Sequence, residues 1–253
     1  MSDKYAKILK KKGILIIKNI FSKSQTKVFK TSLKKILDKR VKMKKNVGSF
    51  NSQLIYNYFY ENTNLLKLIL IPKVDKILKK VLDEKYVMQS TNAQNRLINY
   101  KKSFSKKKLK IGASWHTDSR YLAGKRLEKG FSYLVIIALD AFTKKNGSTK
   151  YVEGSINYRN IPKRKMKIKS KELLMPEGAL CIMDTGMWHK AGDSTLNSRW
   201  SIFSIYTGWF VKPYHNFQKF INKRKISKKY KKLLHFYSTP PEINEVRNTL
   251  IKM

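Results

Sequence analysis

The sequence predicts a mainly β fold in which helices flank a barrel-like antiparallel sheet. Short apolar runs recur through the second half of the chain, separated by turn signals such as Asn146-Gly147 and Glu177-Gly178. Helical apolar spacing precedes these runs and returns, in a more polar form, after them. Many short strands with intervening turns are typical of a closed or two-layered antiparallel sheet.

The first third of the chain is predicted to be mostly helical. Residues 4–10 form a short basic helix that Gly13 ends, and the apolar run at 14–17 forms a buried strand. Ser22 or Ser24 caps the next helix, which runs to about residue 41. The following elements are a loop at 42–52, an ambiguous aromatic run at 54–59, helices at 65–70 and from Pro72 onward, and one or two strands at 86–98.

The strands of the second half are predicted from alternating or continuous apolar runs. They cover residues 113–117, 131–139, 149–152, 172–175, 179–184, 187–190 and 199–210. Two basic segments between them, 101–110 and 156–171, are expected to be loops. After Pro213 the pattern becomes helical and polar, with segments at 217–221, 230–237 and 242–250.

The chain is predicted to form one domain over residues 1–253. Its length allows a sizeable core, and its composition, 42% hydrophobic with 12% aromatic residues, is globular. No internal repeat or domain boundary is visible. We therefore expect a mostly helical N-terminal support (1–85), a β core (86–212) and a helical basic tail (213–253).

The formal net charge of +40 ordinarily suggests a nucleic-acid or membrane-surface partner. Here about five lysines accompany each arginine, and the lysines are spread along the whole chain. Abundant Lys, Asn and Ile are what AT-rich codons produce, whereas specific nucleic-acid sites favour arginine. We interpret the charge as a solvated lysine coat and expect no specific nucleic-acid partner.

Cysteine usage and hydropathy predict a cytoplasmic protein without a membrane span. The single cysteine, Cys181, excludes a disulfide framework and suits a reducing compartment. The N-terminus has no long apolar segment typical of a signal peptide. No apolar run reaches the roughly 18 residues that a spanning helix needs.

Three polar residues suggest a metal site. His116 and Asp118 are two residues apart, so a strand would place both on one face. His189, next to another predicted strand, would complete two imidazoles and one carboxylate, the facial triad that holds Fe(II) and leaves positions open. A satisfied polar pair at a strand end is the alternative interpretation of His116-x-Asp118. The neighbouring apolar strands favour the metal site.

The ordered motifs resemble the phytanoyl-CoA dioxygenase family of Fe(II)- and 2-oxoglutarate-dependent oxygenases over about residues 5–215. The matching segments are Gly13 to Ile17, Trp115-His116-Thr117-Asp118, Ala138-Leu139-Asp140, Asn146-Gly147-Ser148, Gly154-Ser155, Pro176 to Leu180, Trp188-His189-Lys190-Ala191-Gly192 and Arg199. The resemblance implies a double-stranded β-helix (jelly-roll) core flanked by helices.

The resemblance also implies a set of cofactors and their ligands. Fe(II) would be held by His116, Asp118 and His189, and O₂ would bind beside 2-oxoglutarate. The 5-carboxylate of 2-oxoglutarate would pair with Arg199, whose planar fork meets a carboxylate in bidentate fashion and stays charged. Ser201, on the same strand face, could add a hydroxyl to that carboxylate.

Two positions depart from the family pattern. Ile156 stands where the family usually has histidine after Gly-Ser, so a contact at the sheet edge is absent. Ala191 stands where many members carry serine, which removes one hydrogen bond to the cosubstrate. Related halogenases have a small residue at the position of Asp118, so the retained carboxylate favours hydroxylation.

Residues near the triad are candidates for ligand contacts. Arg120 and Tyr121 follow the triad carboxylate in the expected pocket-lining loop and are predicted to contact the substrate. On the strand-like run before the motif, Asn95 is a candidate substrate contact and Asn99 a candidate cosubstrate contact. An exposed loop and a polar strand face are the respective alternatives.

These observations predict a dioxygenase that hydroxylates a C–H bond of a small molecule and releases succinate and CO₂. The lysine coat suggests an anionic substrate, although codon usage explains the same lysines. Two alternatives stay open, namely a basic nucleic-acid-binding protein on a β scaffold and a catalytically silent jelly-roll binding protein.

Overall fold

The structure, a computed structural model, describes most of the chain. The described residues are 2–43, 45, 48–49, 52–97, 114–119, 121–122, 125–163, 166–192, 198–218 and 226–237. The expected helix at 242–250, the basic loop at 101–110 and most of the segment at 217–221 lie outside them.

Four α-helices and twelve strands follow one another along the described residues. The helices are α1 (Ser2–Lys12), α2 (Lys23–Lys42), α3 (Pro72–Val81) and α4 (Lys228–Leu233). The strands are β1 (Ile14–Ile17), β2 (Gly48–Ser49), β3 (Ser52–Tyr56), β4 (Val87–Arg96), β5 (Tyr121–Leu122), β6 (Lys125–Arg126), β7 (Ser132–Ala138), β8 (Lys150–Tyr151), β9 (Lys171–Glu172), β10 (Leu180–Asp184), β11 (His189–Lys190) and β12 (Arg199–Thr207). Short 3₁₀ helices occupy Tyr58–Tyr60, Thr63–Leu68 and Ser155–Asn157.

The strands form a major and a minor antiparallel sheet. The major sheet has seven strands in the order β1-β10-β7-β12-β4-β3-β2, and the minor sheet has the order β11-β8-β9. An isolated bridge between His116 and His189 adds a further short segment to the edge of the minor sheet. The two-sheet arrangement with helices outside confirms the predicted mainly β, jelly-roll fold class. No helix among the described residues is both long and apolar enough to cross a membrane.

The strands β7 and β10 of the major sheet are buried on both faces, which β7 shows most clearly. Every residue of β7 is buried. Leu134 and Ile136 pack in the cluster shared with the minor sheet, whereas Val135 and Ile137 pack in the cluster shared with the helices. A strand covered on both faces needs apolar residues at every position, and this explains its continuous apolar run.

Local sequence signals fix the helices that cover the outer face. Ser22 caps α2 through a capping box with Gln25, as one of the two predicted caps. Lys30, one turn further along, pairs with Asp140 at 2.6 Å and with Glu177 at 3.2 Å. These contacts tie α2 to the loops at the edge of the sheet.

Gly13 joins α1 to β1 at a position where only glycine fits. Its φ is +71°, and a Cβ there would lie 2.3 Å from Cγ2 of Ile156. Ile156, which departs from the family's usual histidine, is buried in the core between the two sheets. The Ile156 side chain therefore fills the space beside Gly13 and leaves no room there for a Cβ atom.

Some predicted elements differ in the structure. The strand expected at 113–117 is reduced, in its described part, to the bridge at His116, and the helix expected at 65–70 is a 3₁₀ helix at Thr63–Leu68. The expected loop at 42–52 contains the short strand β2, and the helical N-terminal third supplies three strands of the major sheet. Such short pieces are set by tertiary pairing and carry little periodicity of their own.

Candidate functional site

Two histidines from distant parts of the chain form a directly bonded backbone pair. The N–H of His116 donates to the carbonyl of His189 at 3.0 Å, and the N–H of His189 donates to the carbonyl of His116 at 2.9 Å. Their ring centroids are 4.3 Å apart. The antiparallel bridge thus places both imidazoles side by side at the edge of the minor sheet.

Both imidazole rings are oriented by the same kind of hydrogen bond. Nδ1 of His116 lies 2.8 Å from the carbonyl of Ser114, and Nδ1 of His189 lies 2.9 Å from the carbonyl of Met187. A carbonyl only accepts, so each Nδ1 carries the proton and donates. In the neutral rings this leaves the Nε2 lone pairs for a metal ion.

Asp118 is held beside the histidines by a tight turn after β10. The N–H groups of Asp118 and Ser119 both donate to the carbonyl of Thr185 at 2.9 Å. Asp184 stabilises this turn, because its carboxylate accepts from the N–H of Gly186 at 2.7 Å. The turn therefore fixes the carboxylate-bearing segment through the backbone.

The three side chains converge on one point. The Asp118 carboxylate lies 3.4 Å from Nε2 of His189 and 3.9 Å from Nε2 of His116. One ligand atom from each residue lies within 4.8 Å of the others, and among the described residues this is the one such group of three. Two imidazole nitrogens and one carboxylate suit Fe(II), so the donor set fits the iron that the sequence predicts.

The protonation states also suit a metal site. Burial raises the pKa of Asp118, but the two histidines outweigh this effect and lower it below its usual value. Burial and the neighbouring His189 lower the pKa of His116. Burial lowers the pKa of His189 too, but Asp118 outweighs it and the net pKa is raised. The carboxylate is therefore ionised and His116 neutral at pH 7.

Ser155 positions the segment that carries His189. Its Oγ accepts from the N–H of Trp188 at 2.9 Å and donates to the carbonyl of Val152 at 2.7 Å. The Gly-Ser motif, noted in the sequence for its resemblance only, thus braces the residue next to a metal ligand. Ala191, two residues after His189, lines the cavity described below.

Arg199 and Ser201 open β12 with unsatisfied polar groups. Nε and Nη1 of Arg199 and Oγ of Ser201 are buried without a hydrogen-bond partner in the described part of the chain. The guanidinium stacks 3.5 Å from the ring centre of Phe142. Burial and the nearby Arg96 lower the pKa of Arg199 to about 9, while Asp140 acts in the opposite sense.

Such an arrangement fits a bound carboxylate. A buried guanidinium without a partner is costly, and a bidentate carboxylate satisfies two of its donors at once. Ser201 is on the same strand face, two residues further along, but is itself fully buried and is not among the cavity-lining residues. The orphaned donors thus fit the 5-carboxylate of 2-oxoglutarate.

A cavity of about 320 Å³ joins the triad to Arg199. The major sheet, the minor sheet and the triad segment supply its lining, which comprises Ser52, Leu54, Ser90, Asn92, Gln94, Arg96, His116, Asp118, Leu134, Ile136, Thr149, His189, Ala191, Arg199, Phe203 and Ile205. Its size is at the lower end of the range for ligand sites.

Asn95, predicted to contact the substrate, does not line the cavity. The cavity is lined from β4 by Ser90, Asn92, Gln94 and Arg96, so Asn95 lies on the opposite face, where its amide donates to Gln53 at 2.9 Å. The sequence pattern does not determine which residues of this strand face the cavity, because polar residues occur on both of its faces. The residues that the prediction missed are its neighbours Asn92 and Gln94, together with Arg96.

The other predicted ligand contacts fall where the structure gives little or no description. Asn99 and Arg120 lie outside the described residues. Tyr121 begins β5, which pairs with β6 in a two-stranded hairpin, but its side chain is also outside the description. Their roles remain predictions.

Arg96 links the two sheets at the Arg199 end of the cavity. It is the direct cross-strand partner of Arg199, so both side chains occupy the same face. Its Nη2 donates to the carbonyl of Gly192 at 2.9 Å, three residues after His189. Gly192 itself packs closely, because a Cβ there would lie 2.3 Å from the carbonyl oxygen of Ser148.

Comparison with solved structures supports the fold. HygX from Streptomyces hygroscopicus, solved with nickel and 2-oxoglutarate, superposes with a TM-score of 0.65 at 12% identity, covering 85% of this chain and 90% of HygX. SnoK, a non-heme alpha ketoglutarate dependent carbocyclase from nogalamycin biosynthesis, gives 0.64 at 13% identity, with coverage of 89% and 91%. ThoJ, a non-heme monooxygenase, gives 0.65 at 18% identity, with coverage of 84% and 80%.

Sequence comparison supplies the family. No curated protein matches the chain significantly. The family model for phytanoyl-CoA dioxygenase, however, matches residues 9–200, a span that includes the whole triad and ends just after Arg199. The chain therefore belongs to the phytanoyl-CoA dioxygenase family of Fe(II)- and 2-oxoglutarate-dependent oxygenases.

Proposed function

We propose that this oxygenase hydroxylates a C–H bond of a small-molecule substrate while 2-oxoglutarate is converted to succinate and CO₂. The observation that carries the proposal is one cavity that contains both the convergent triad and the unpartnered donors of Arg199. Similar structures, one with hygromycin B and one with nogalamycin RO, hold small molecules, which supports a substrate of that size.

In the proposed mechanism, His116, Asp118 and His189 would hold Fe(II). When bound, the iron supplies the activation of O₂ that inserts an oxygen atom into the substrate. The carbonyls of Ser114 and Met187 keep both Nε2 atoms directed at the metal. The ionised Asp118 would balance part of the charge of the metal ion and would supply its carboxylate ligand.

Arg199 orients the cosubstrate. Its buried guanidinium holds the 5-carboxylate, and this fixes the direction in which the keto acid reaches the triad. Phe142 on one face of the guanidinium limits the positions available to it. The charge stays buried and unscreened, so the ion pair is stronger than one on the surface.

Apolar side chains exclude water from the reaction space. Leu134 and Ile136 from β7 and Phe203 and Ile205 from β12 line the same cavity. These side chains would limit the access of water to the reacting groups and so limit side reactions with solvent. The protein thus contributes orientation, charge balance and shielding, and the iron contributes the oxidation.

The enzyme is also proposed to act in a reducing compartment such as the cytoplasm. Cys181, its single cysteine, is free and fully buried in β10. Burial raises the pKa of its thiol, which makes it unreactive. With a single, buried cysteine the chain forms no internal disulfide, which suits a reducing compartment.

Succinate formation tests the proposal. Wild-type enzyme with Fe(II), ascorbate, O₂ and 2-oxoglutarate should release succinate, and His189→Ala should reduce this to background because one metal ligand is missing. His215→Ala is the matched control, because His215 is half-buried outside the triad. It should retain the rate.

Succinate formed equally by wild type and His189→Ala would contradict the proposal. If neither protein forms succinate, Fe(II)-dependent binding of 2-oxoglutarate separates the remaining cases. Binding by wild type that His189→Ala loses shows a competent site that awaits its substrate. Absence of such binding indicates a jelly-roll scaffold that has lost the chemistry.

A further inference from the structure

The cavity has two chemically different walls, and strand register sets them side by side. Going away from Arg199, the inward-facing positions of β4 are Gln94, Asn92 and Ser90, all polar and uncharged. The neighbouring inward positions of β12 and β7 form two apolar rows. Phe203 and Ile136 stand beside Asn92, and Ile205 and Leu134 stand beside Ser90.

The polar wall has unused hydrogen-bonding capacity. Gln94 donates to Ser52 at 2.8 Å, but Asn92 and Ser90 make no side-chain hydrogen bond with any described residue. Ser90 is only 7% exposed. Asn92 is half-buried, and both side chains line the cavity without being sealed from it, so a ligand that enters the cavity can reach them. An amide and a hydroxyl each donate and accept, so they match hydroxyl or amide groups of a ligand.

The unused groups lie beyond the expected reach of the cosubstrate. Arg199 and Ile205 are six residues apart on β12, which corresponds to roughly 20 Å of strand. A five-carbon diacid anchored at Arg199 is much shorter than this. The half of the cavity around Ser90 and Asn92 is therefore left for the substrate.

Charge in this half of the cavity is low. Among the described lining residues there is no lysine, and the two arginines are the cross-strand pair at the opposite end. The lysine coat of the surface thus does not extend into the cavity as described. This removes the reason to expect an anionic group on the part of the substrate that enters.

We propose that the substrate of this site is a neutral ring or short chain with one polar face and one apolar face. Its hydroxyl or amide groups would bond with Asn92 and Ser90, and its apolar face would pack on Phe203, Ile205 and Leu134. The inference rests on the proposed hydroxylase function, since it assigns the substrate class of the same cavity. A volume of about 320 Å³, shared with the cosubstrate, limits the inserted part to about one ring.

Three six-membered-ring probes test the proposal by direct binding. Cyclohexanediol has a polar side and an apolar side, inositol is polar on every side, and cyclohexanecarboxylate carries a negative charge. Dissociation constants are measured by ligand-observed NMR on the full chain, once metal-free and once with 2-oxoglutarate and Zn(II) as a diamagnetic substitute for iron. The diol should bind tightest when 2-oxoglutarate is present, because the cosubstrate then occupies Arg199. Without 2-oxoglutarate, cyclohexanecarboxylate can pair with the unpartnered guanidinium, so that state compares the diol with inositol alone.

Two matched substitutions locate the binding. Asn92→Leu should weaken the diol about fivefold, the loss expected for one hydrogen bond, whereas Asn95→Leu on the opposite face of β4 should leave it unchanged. Ser90→Ala should also weaken it about fivefold and keeps the test available if Asn92→Leu does not fold. Tighter binding of the carboxylate in the presence of 2-oxoglutarate, no binding of the diol, or equal affinities across these variants would overturn the proposal.

The binding test does not depend on turnover. Diol binding could be weakened in Asn92→Leu and unchanged in Asn95→Leu while no 2-oxoglutarate is consumed or bound. In that case the proposed hydroxylase function fails and the assigned ligand class stands. If succinate forms but the diol result fails, the hydroxylase stands and the assigned substrate class is wrong.

Discussion

The two ends of the cavity are built in opposite ways. At the metal end, short strands are fixed by reciprocal backbone bonds, and both Nδ1 atoms and the backbone N–H groups of His116, Asp118 and His189 have partners. At the cosubstrate end, the nine-residue β12 carries Arg199 and Ser201 with buried donors that lack partners. The metal end is preorganised, whereas the cosubstrate end is incomplete without an anion. Ligands at the two ends should therefore change stability differently.

The largest effect that tests this contrast is expected at Arg199. Arg199→Met should weaken 2-oxoglutarate binding about 100-fold, because a buried charge-assisted pair is lost. The ligand-free protein should be as stable as wild type or more stable, since an apolar side chain replaces a buried, unpartnered charge. Titration with 2-oxoglutarate and urea unfolding without ligand measure the two effects.

Arg40 is the matched control, an arginine in which each of the three guanidinium nitrogens donates a hydrogen bond. Its Nε and Nη2 each donate to Glu61 at 2.8 Å, and its Nη1 donates to the carbonyl of Tyr56 at 2.9 Å. Arg40→Met should cost about 2 kcal/mol of unfolding free energy and leave cosubstrate affinity unchanged. A similar stability loss in Arg199→Met would show that the cosubstrate end is complete by itself.

An intermediate effect is expected when pH changes the metal end. Asp118 raises the pKa of His189 above the ordinary 6.5, so metal binding must displace a proton below that raised value. Metal affinity should then fall up to about tenfold per pH unit as the pH decreases. Competition titrations with Ni(II), which does not oxidise, measure this slope.

The metal-free protein should respond in the opposite sense. A raised pKa in the folded state stabilises below the unfolded value, and that contribution is lost as the pH rises through the folded pKa of His189. The lowered pKa of His116 acts in a separate window, below 6.5, where its protonation destabilises the fold. Metal affinity and metal-free stability that rise together above pH 6.5 would contradict this assignment.

The smallest effect concerns two serines on opposite faces of β12. Ser201→Ala should reduce 2-oxoglutarate affinity about fivefold and leave stability unchanged, because its Oγ has no partner in the described protein. Ser204→Ala should do the reverse, since its Oγ bonds with Thr91 at 2.7 Å in the core. We expect a loss of about 1 kcal/mol there.

Equilibrium unfolding of both serine variants measures the change in stability, and titration with 2-oxoglutarate measures the change in cosubstrate affinity. An unchanged cosubstrate affinity in Ser201→Ala would show that the hydroxyl does not reach the carboxylate. It would limit the cosubstrate end to Arg199 and the backbone around it.

The long strands could be predicted from sequence because burial on both faces leaves a continuous apolar signal. β7 and β10 lie within one or two residues of the predicted bounds, and the triad segments follow from their place beside such runs. The family motifs added Arg199 at the start of β12. Elements with a strong local pattern, or with a rare residue at a fixed spacing, can thus be predicted from the sequence alone.

The facing of β4 could not be predicted, because neither of its faces is apolar. Asn92 and Asn95 look alike in sequence, yet one lines the cavity and the other bonds with Gln53. The choice depends on pairing with β12 and β3, which no local pattern encodes. The two-residue strand β11 and the bridge at His116 could not be predicted for the same reason, because each is defined only by its pairing with a distant segment.

The position of β12 has a consequence for how the enzyme is made. It is the last strand along the described chain, yet it lies between β7 and β4 in the middle of the major sheet. A nascent chain that has emerged only to residue 198 therefore holds two half-sheets, β1-β10-β7 and β4-β3-β2, with no ladder between them. Closing that gap requires long-range pairing, which is slow. Because Arg199 is the first residue of this closing strand, an unfinished chain on the ribosome has all three proposed metal ligands but lacks the proposed anchor for the cosubstrate.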